Sequence, residues 1–199
     1  MPVIKGGILI KAIAVDLDDV LNNFTETLHT TQFAYEDDYP FEQAVFDGFL
    51  AMLRSNSPDT GSLLSTEYSF FRFKIYEQCY KLASARPDGI EFIGWLRRNG
   101  WQIVICSGRD LRRVGDATHQ WLKQHQIAYD YLFMAGNKIV FCNAWGIRHL
   151  VDAQEFSILH GGNYGVQVYY PVMARHKTLP ANAGRGFITF EQVKQWMSS

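Results

Sequence analysis

Apolar and polar positions fall in blocks along the chain. Ile8–Val15 (ILIKAIAV) is an apolar run broken only by Lys11, and it stops abruptly at Asp16-Leu17-Asp18-Asp19. Such a run, with acids at its carboxyl end, predicts a strand buried on both faces of a parallel sheet. Trp101–Cys106 (WQIVIC) repeats the pattern and ends in Ser107-Gly108-Arg109. Tyr131–Met134, Ile147–Asp152 and Val166–Pro171 predict three more strands. Between them the period lengthens to that of helices. Pro87 and Asp88 open one helix, with Asp88 and Glu91 as a capping box and Gly100 as the stop. Arg112–Gln126 forms another, with Trp121 and Leu122 on its apolar side. Lys138–Trp145 is a third, closed by Gly146, and Thr189 with Gln192 caps a last short helix holding Val193 and Trp196. Strands alternating with helices predict an α/β fold with a mostly parallel sheet.

One segment breaks this rhythm. Residues 24–80 hold 13 of the 29 aromatic residues and show no period of two. They carry nine acids and three bases, 3 − 9 = −6, against 16 − 11 = +5 for the remainder. This reads as a helical insertion, residues 23–81, set into a core made of 1–22 and 82–199. The loop NSPDTGS (Asn56–Ser62) separates its helical pieces.

Composition narrows the class without naming the chemistry. With 199 residues, 47% of them hydrophobic, the chain can bury a core without staples. No apolar run approaches the ~20 residues of a membrane span. The apolar start runs into acids without a small-residue cleavage site, which argues against a secretory signal. A net charge of −1 gives no global field for DNA or an anionic membrane. Cys79, Cys106 and Cys142 are odd in number and far apart, which argues against disulfides or a zinc site and for a reducing, cytoplasmic setting.

Four polar clusters follow apolar runs: Asp16-Leu17-Asp18-Asp19, Ser107-Gly108-Arg109, Lys138 and Asp152. Ligands of open parallel sheets bind outside the carboxyl ends of the strands. In this order, AVDLDDVLNNF, VICSGR, Lys138 and HLVD resemble the four motifs of the haloacid dehalogenase (HAD) superfamily of phosphotransferases. The resemblance runs from about Ala12 to Trp196 and implies a Rossmann-like core with residues 23–81 as a C1-type cap. DLDDVLNNF with a cap in that place looks most like the 5′(3′)-deoxyribonucleotidase branch. VICSGRDLRRVGDATHQWLKQHQIAYDYLFM also resembles the phosphatase domain of phage polynucleotide kinase.

The resemblance implies roles that charge logic supports. A carboxylate is already ionised at neutral pH and can attack phosphorus. Asp16 is the expected nucleophile. Asp18, two residues on and on the same side of an extended segment, is the expected general acid and base. Mg²⁺ takes oxygen ligands and uses one or two carboxylates. Asp16, Asp152 and the backbone carbonyl of Asp18 would hold it. Ser107, Gly108 and Arg109 would grip phosphate, and Lys138 would offset negative charge. The family's fourth motif usually carries a second acid, where this chain has Ala153. Glu155 is the candidate replacement; without it the metal site weakens.

Plainer readings stand beside these. The acidic turn could be solvated, with Asp19 opening a helix. Lys123 and Lys177 are alternatives to Lys138. The cap aromatics read first as the core of a small helical module, with Phe24, Phe46 and Phe49 as candidates to stack on a base. Cys106 reads as a core residue, and the six histidines show no metal-binding spacing. The expected partner is a small phosphorylated substrate, foremost a nucleoside monophosphate. The −6 charge argues against a long nucleic acid across the cap. A polynucleotide 3′-phosphatase, or a phosphate-binding module without turnover, are the alternatives. A dehalogenase suits Asp18 and Lys138 less well.

Overall fold

A computed structural model describes residues 11–31, 76–134, 136–180 and 182–198, with the backbone alone at 4–5, 8–9 and 32–35. In chain order the elements are β1 (Ile4–Lys5), β2 (Ile8–Leu9), β3 (Ala12–Val15), α1 (Phe24–Tyr35), α2 (Tyr76–Leu82) and α3 (Pro87–Arg98). Then come β4 (Gln102–Ser107), α4 (Leu111–Gln124), β5 (Tyr131–Met134), α5 (Lys138–Ala144), β6 (His149–Val151) and α6 (Glu155–His160). β7 (Gln167–Pro171), β8 (Arg185–Phe187) and α7 (Phe190–Ser198) complete the strands and α-helices of the described residues. Six strands form one sheet in the order β5-β4-β3-β6-β7-β8, every pair parallel. The expected α/β architecture is therefore the observed one. Among the described residues no helix is long and apolar enough to cross a membrane.

Alternation along the strands sorts the core into two layers. Ile13, Val15, Ile103, Ile105 and Val151 join Phe92 and Leu96 of α3, Trp121 of α4 and Phe190 of α7 on one side. Ala14, Val104, Cys106, Leu150 and Val168 join Ile139 and Cys142 of α5 and Ile158 of α6 on the other. Both faces are thus covered, which is why the strands read as continuous apolar runs.

The predicted elements shift in places. The run Ile8–Val15 divides near Lys11: Ile8–Leu9 pairs antiparallel with Ile4–Lys5, and only Ala12–Val15 enters the main sheet. Asp88 does not cap α3. Arg86 holds that position with Pro87 first in the helix, and Asp88 instead pairs with the Arg86 guanidinium at 3.0 and 3.2 Å. Gln192 makes one half of the expected box on α7, accepting from the Thr189 N–H at 3.3 Å. Gly100 and Gly146 end their helices at φ 72° and 68°, a region that favours glycine. The sixth strand, β8, is unforeseen: three residues, Arg-Gly-Phe, carry no period. Helix α6 is likewise unforeseen.

The excursion after β3 leaves and returns at one place. Asn22 bridges Ala85, the Asn23 N–H donates to Ser84 O at 3.1 Å, and the Arg86 N–H donates to Leu21 O at 2.8 Å. The buried Trp121 indole donates to Ala83 O at 2.6 Å, fixing the returning chain on α4. Phe46, Phe49 and the loop 56–62 lie outside the described residues.

Candidate active site

Strand order reverses at β3: β4 and β5 lie to one side, β6 to β8 to the other. Val15 pairs with Val151, so Asp16 and Asp152 each stand one residue beyond neighbouring strands. Both continue the parity of Ala14 and Leu150, the face that α5 covers. Lys138, the first residue of α5, therefore meets them. Its Nζ donates to Asp16 Oδ2 at 2.6 Å and to Asp152 Oδ1 at 2.8 Å. Asn137 caps that helix, accepting from the Val140 N–H at 3.0 Å.

The cluster is sealed: Asp16, Lys138 and Asp152 are 3%, 1% and 0% exposed. Burial pushes the Asp16 carboxyl well above the usual carboxylate range, and Asp152 and Asp18 add to this while Lys138 opposes it. Burial works the same way on Asp152 and is the largest influence, but the Lys138 charge and the side-chain hydrogen bonds around the carboxylate together outweigh it and hold that group low. Burial also works against the Lys138 ammonium, and the two carboxylates overcome it, so the lysine stays charged.

One oxygen stands out. Asp152 Oδ2 is buried and has no hydrogen-bond partner. Oδ1 is satisfied by Lys138 and by the Gln154 N–H at 3.1 Å. An orphaned carboxylate oxygen beside a second carboxylate is what a divalent cation satisfies. The Asp16 and Asp152 carboxylates thus have the chemistry that suits Mg²⁺, which keeps water for its remaining ligands. Among the described residues no group of three or more His, Cys, Asp or Glu side chains could hold a metal. Glu155 is exposed at the start of α6, outside the buried cluster. At Ala153 the backbone carbonyl accepts from His176 Nε2 at 3.0 Å and from Arg175 at 3.5 Å.

Ser107 ends β4, buried, and its hydroxyl accepts the Arg109 N–H at 3.3 Å. That leaves its own proton free to donate. Gly108 is exposed, and a Cβ there would lie 3.4 Å from Gln154 Nε2, so the loops after β4 and β6 meet. Arg109 turns inward to Asp18, donating from Nε at 3.0 Å and NH2 at 2.5 Å. Phe24 is buried, its ring stacked on Tyr80 at 5.0 Å and edge-on to Tyr76 at 5.1 Å. It forms part of an aromatic core where α1 meets α2.

Sequence reasoning reads Asp19 as opening the next helix, which its bond to the Thr25 N–H fits, but misses Arg175, Tyr80 and Thr118. Asp19 adopts φ 61°, a conformation that Asp tolerates, and its carboxylate accepts from Thr25 N–H at 2.8 Å and Arg175 NH2 at 3.0 Å. Tyr80 and Thr118 flank Arg109. No local signal marks these, because each arrives from a separate element. The three cysteines are buried, and burial pushes the Cys79 thiol up to about 11, which leaves it inert at neutral pH.

No family model matches the sequence, and no curated protein matches it. Solved structures do. A haloacid dehalogenase-like hydrolase from Streptococcus pneumoniae superposes with a TM-score of 0.68 at 16% identity, over 94% of this chain and 98% of that one. A HAD-hydrolase from Bacillus subtilis, solved with magnesium, gives 0.69 at 10%, over 96% and 99%. A predicted phosphoglycolate phosphatase from Haemophilus somnus gives 0.62 at 13%, over 94% and 98%. The fold is that of the HAD-like hydrolases.

Proposed function

We propose that the chain is a Mg²⁺-dependent phosphomonoester hydrolase of the HAD type, working through an aspartyl-phosphate on Asp16. The observation that carries this is the sealed Asp16–Lys138–Asp152 cluster at the point where strand order reverses. Three residues from three elements meet there, two carboxylates against one ammonium, with one carboxylate oxygen left bare.

In the reaction, an oxygen of Asp16 bonds to phosphorus as the ester P–O bond breaks. Asp18, 24% exposed at its side chain, gives the leaving oxygen a proton and later takes one from the water that cleaves the aspartyl-phosphate. The Ser107 hydroxyl and Gly108 N–H donate to phosphate oxygens. The Lys138 ammonium opposes the burial that raises the Asp16 pKa and offsets negative charge beside it. A bound Mg²⁺ would supply the positive charge that lets two anions approach.

The substrate is a small phosphate ester, foremost a nucleoside monophosphate, enclosed by residues 23–81 as a C1-type cap. On this reading the chain is nearest the 5′(3′)-deoxyribonucleotidases and works in the cytoplasm, a compartment that suits three free thiols. Ala153 favours one second reading, a phosphate-binding module without turnover.

The deciding experiment is a Mg²⁺-supplemented screen of nucleotides, sugar phosphates and 3′-phosphorylated oligonucleotides. Phosphate release that disappears in Asp16→Asn supports the hydrolase. Sugar phosphates turning over with nucleotides at background would sink the nucleotide assignment, and oligonucleotide turnover would make the chain a polynucleotide 3′-phosphatase. Binding of inorganic phosphate with no release from any ester would establish the module.

A further inference from the structure

Arg109 sits in the loop that follows Ser107, where a phosphate ligand is expected, yet its guanidinium is engaged on three sides. Nε and NH2 hold the two oxygens of Asp18, at 3.0 and 2.5 Å. NH1 donates to Thr118 Oγ1 at 3.1 Å, and that hydroxyl donates in turn to Val114 O at 2.8 Å. Val114 is where α4 departs from helical geometry, at φ −130° and ψ 18°. The ring of Tyr80 lies 4.0 Å from the guanidinium carbon. The Arg109 side chain is 1% exposed, whereas that of Asp18 is 24% exposed. Asn22 Nδ2 adds a third donor to Asp18, at 3.2 Å from Oδ1.

A bidentate, buried arginine fixes a carboxylate in direction as well as distance. Gripping phosphate would require this buried arginine to leave Asp18, its ion-pair partner. The cost of stranding one half of such a pair makes that exchange unfavourable.

We propose that Arg109 is the positioning residue for Asp18 rather than a phosphate ligand. Through the Tyr80 ring it also ties the placement of Asp18 to α2, on the chain's return to the core. This rests on the hydrolase reading above. The physical content is that the fork, not the charge alone, aims the acid–base group. Tyr80 is packed with Phe24 and Tyr76, so the arginine plane is set by the aromatic core between α1 and α2.

The test compares Arg109→Lys, Arg109→Met, Tyr80→Leu and Tyr80→Phe on an aryl phosphate, whose leaving group needs little proton donation, and on an alkyl phosphate, which needs it. Misaiming a group by about 1 Å costs about 100-fold in rate. Both Arg109 variants should lose about that much kcat on the alkyl ester, with KM and inhibition by inorganic phosphate within threefold of wild type. The loss on the aryl ester should be at least tenfold smaller. Tyr80→Leu should show the same signature more weakly, and Tyr80→Phe, which keeps the ring, should restore it.

A rise in KM and in the phosphate inhibition constant, equal for both esters and rescued by lysine, would overturn the proposal. If wild type releases no phosphate from either ester, the hydrolase reading fails, and a crystal structure of Arg109→Gln decides the proposal alone. Asp18 leaving its position supports it, and Asp18 unmoved overturns it.

Discussion

Lys138 donates to Asp16 across 2.6 Å, and the pair, 122 residues apart in sequence, is almost closed to solvent. The same ammonium holds Asp152 at 2.8 Å. Its removal would strand two carboxylates in a buried site. Lys138→Met should therefore lower stability by ~3–5 kcal/mol, the usual cost of breaking a buried pair from one side. Adding Asp16→Asn to the same chain should recover part of that loss, because one stranded charge is gone. Chemical denaturation of the single and double variants checks both statements. A double variant as unstable as the sum of its singles would contradict the shared cluster.

The bare Oδ2 of Asp152 predicts a metal response that needs no substrate. A ligand that binds only the folded chain stabilises it by ~2.7 kcal/mol at a hundred times its dissociation constant. Millimolar Mg²⁺ should thus raise Tm in wild type, and excess chelator should reverse the rise. In Asp152→Asn the rise should vanish. Calorimetry reads the outcome, and an equal shift in both proteins would place the cation elsewhere.

His149 predicts the acid limb of stability. Burial holds its pKa below the ordinary 6.5, with the ring edge-on to Trp101 and Nδ1 3.2 Å from the Tyr169 hydroxyl. The unfolded chain binds this proton more readily, so stability rises with pH between the folded pKa and 6.5 and is fully present above 6.5. Cooling of Tm as pH falls from 7 to about 5 should be shallower in His149→Gln than in wild type. Parallel Tm profiles would remove His149 from this role.

Gly184 predicts a purely structural cost. A Cβ there would come 2.6 Å from Val168 O and 3.2 Å from Val168 Cβ, against backbone that cannot step aside. Gly184→Ala should cost ~1–3 kcal/mol, the range for overpacking a closed site. Gly162→Ala, with open space around it, should leave Tm near wild type. Equal melting of the two variants would refute the contact.

The strands were legible because burial on both faces writes itself as unbroken apolar runs. Tyr131–Met134 keeps its predicted limits, while β8 escapes because Gly186 and the exposed Arg185 leave one buried residue in three. The site was legible wherever a polar group ends a strand, as at Asp16, Ser107 and Asp152. Lys138 was weaker in the sequence, since a lysine at a helix start looks like any surface lysine; only the parity of Asp16 and Asp152 under α5 accounts for its burial. Arg109 misleads for the opposite reason. Its place in the chain suggests phosphate, while its partners Asp18, Thr118 and Tyr80 come from three elements that no spacing relates.

The pinned junction at Asn22 and Ala85 has a consequence for how such chains diversify. Asn23 Oδ1 accepts from the Ser84 N–H at 2.8 Å across 61 positions, so departure and return share one small knot. The stretch between α1 and α2 can lengthen, shrink or be exchanged while the knot and the Tyr80–Arg109 contact stay in place. Change in that stretch is thereby decoupled from upkeep of the buried cluster beneath the junction.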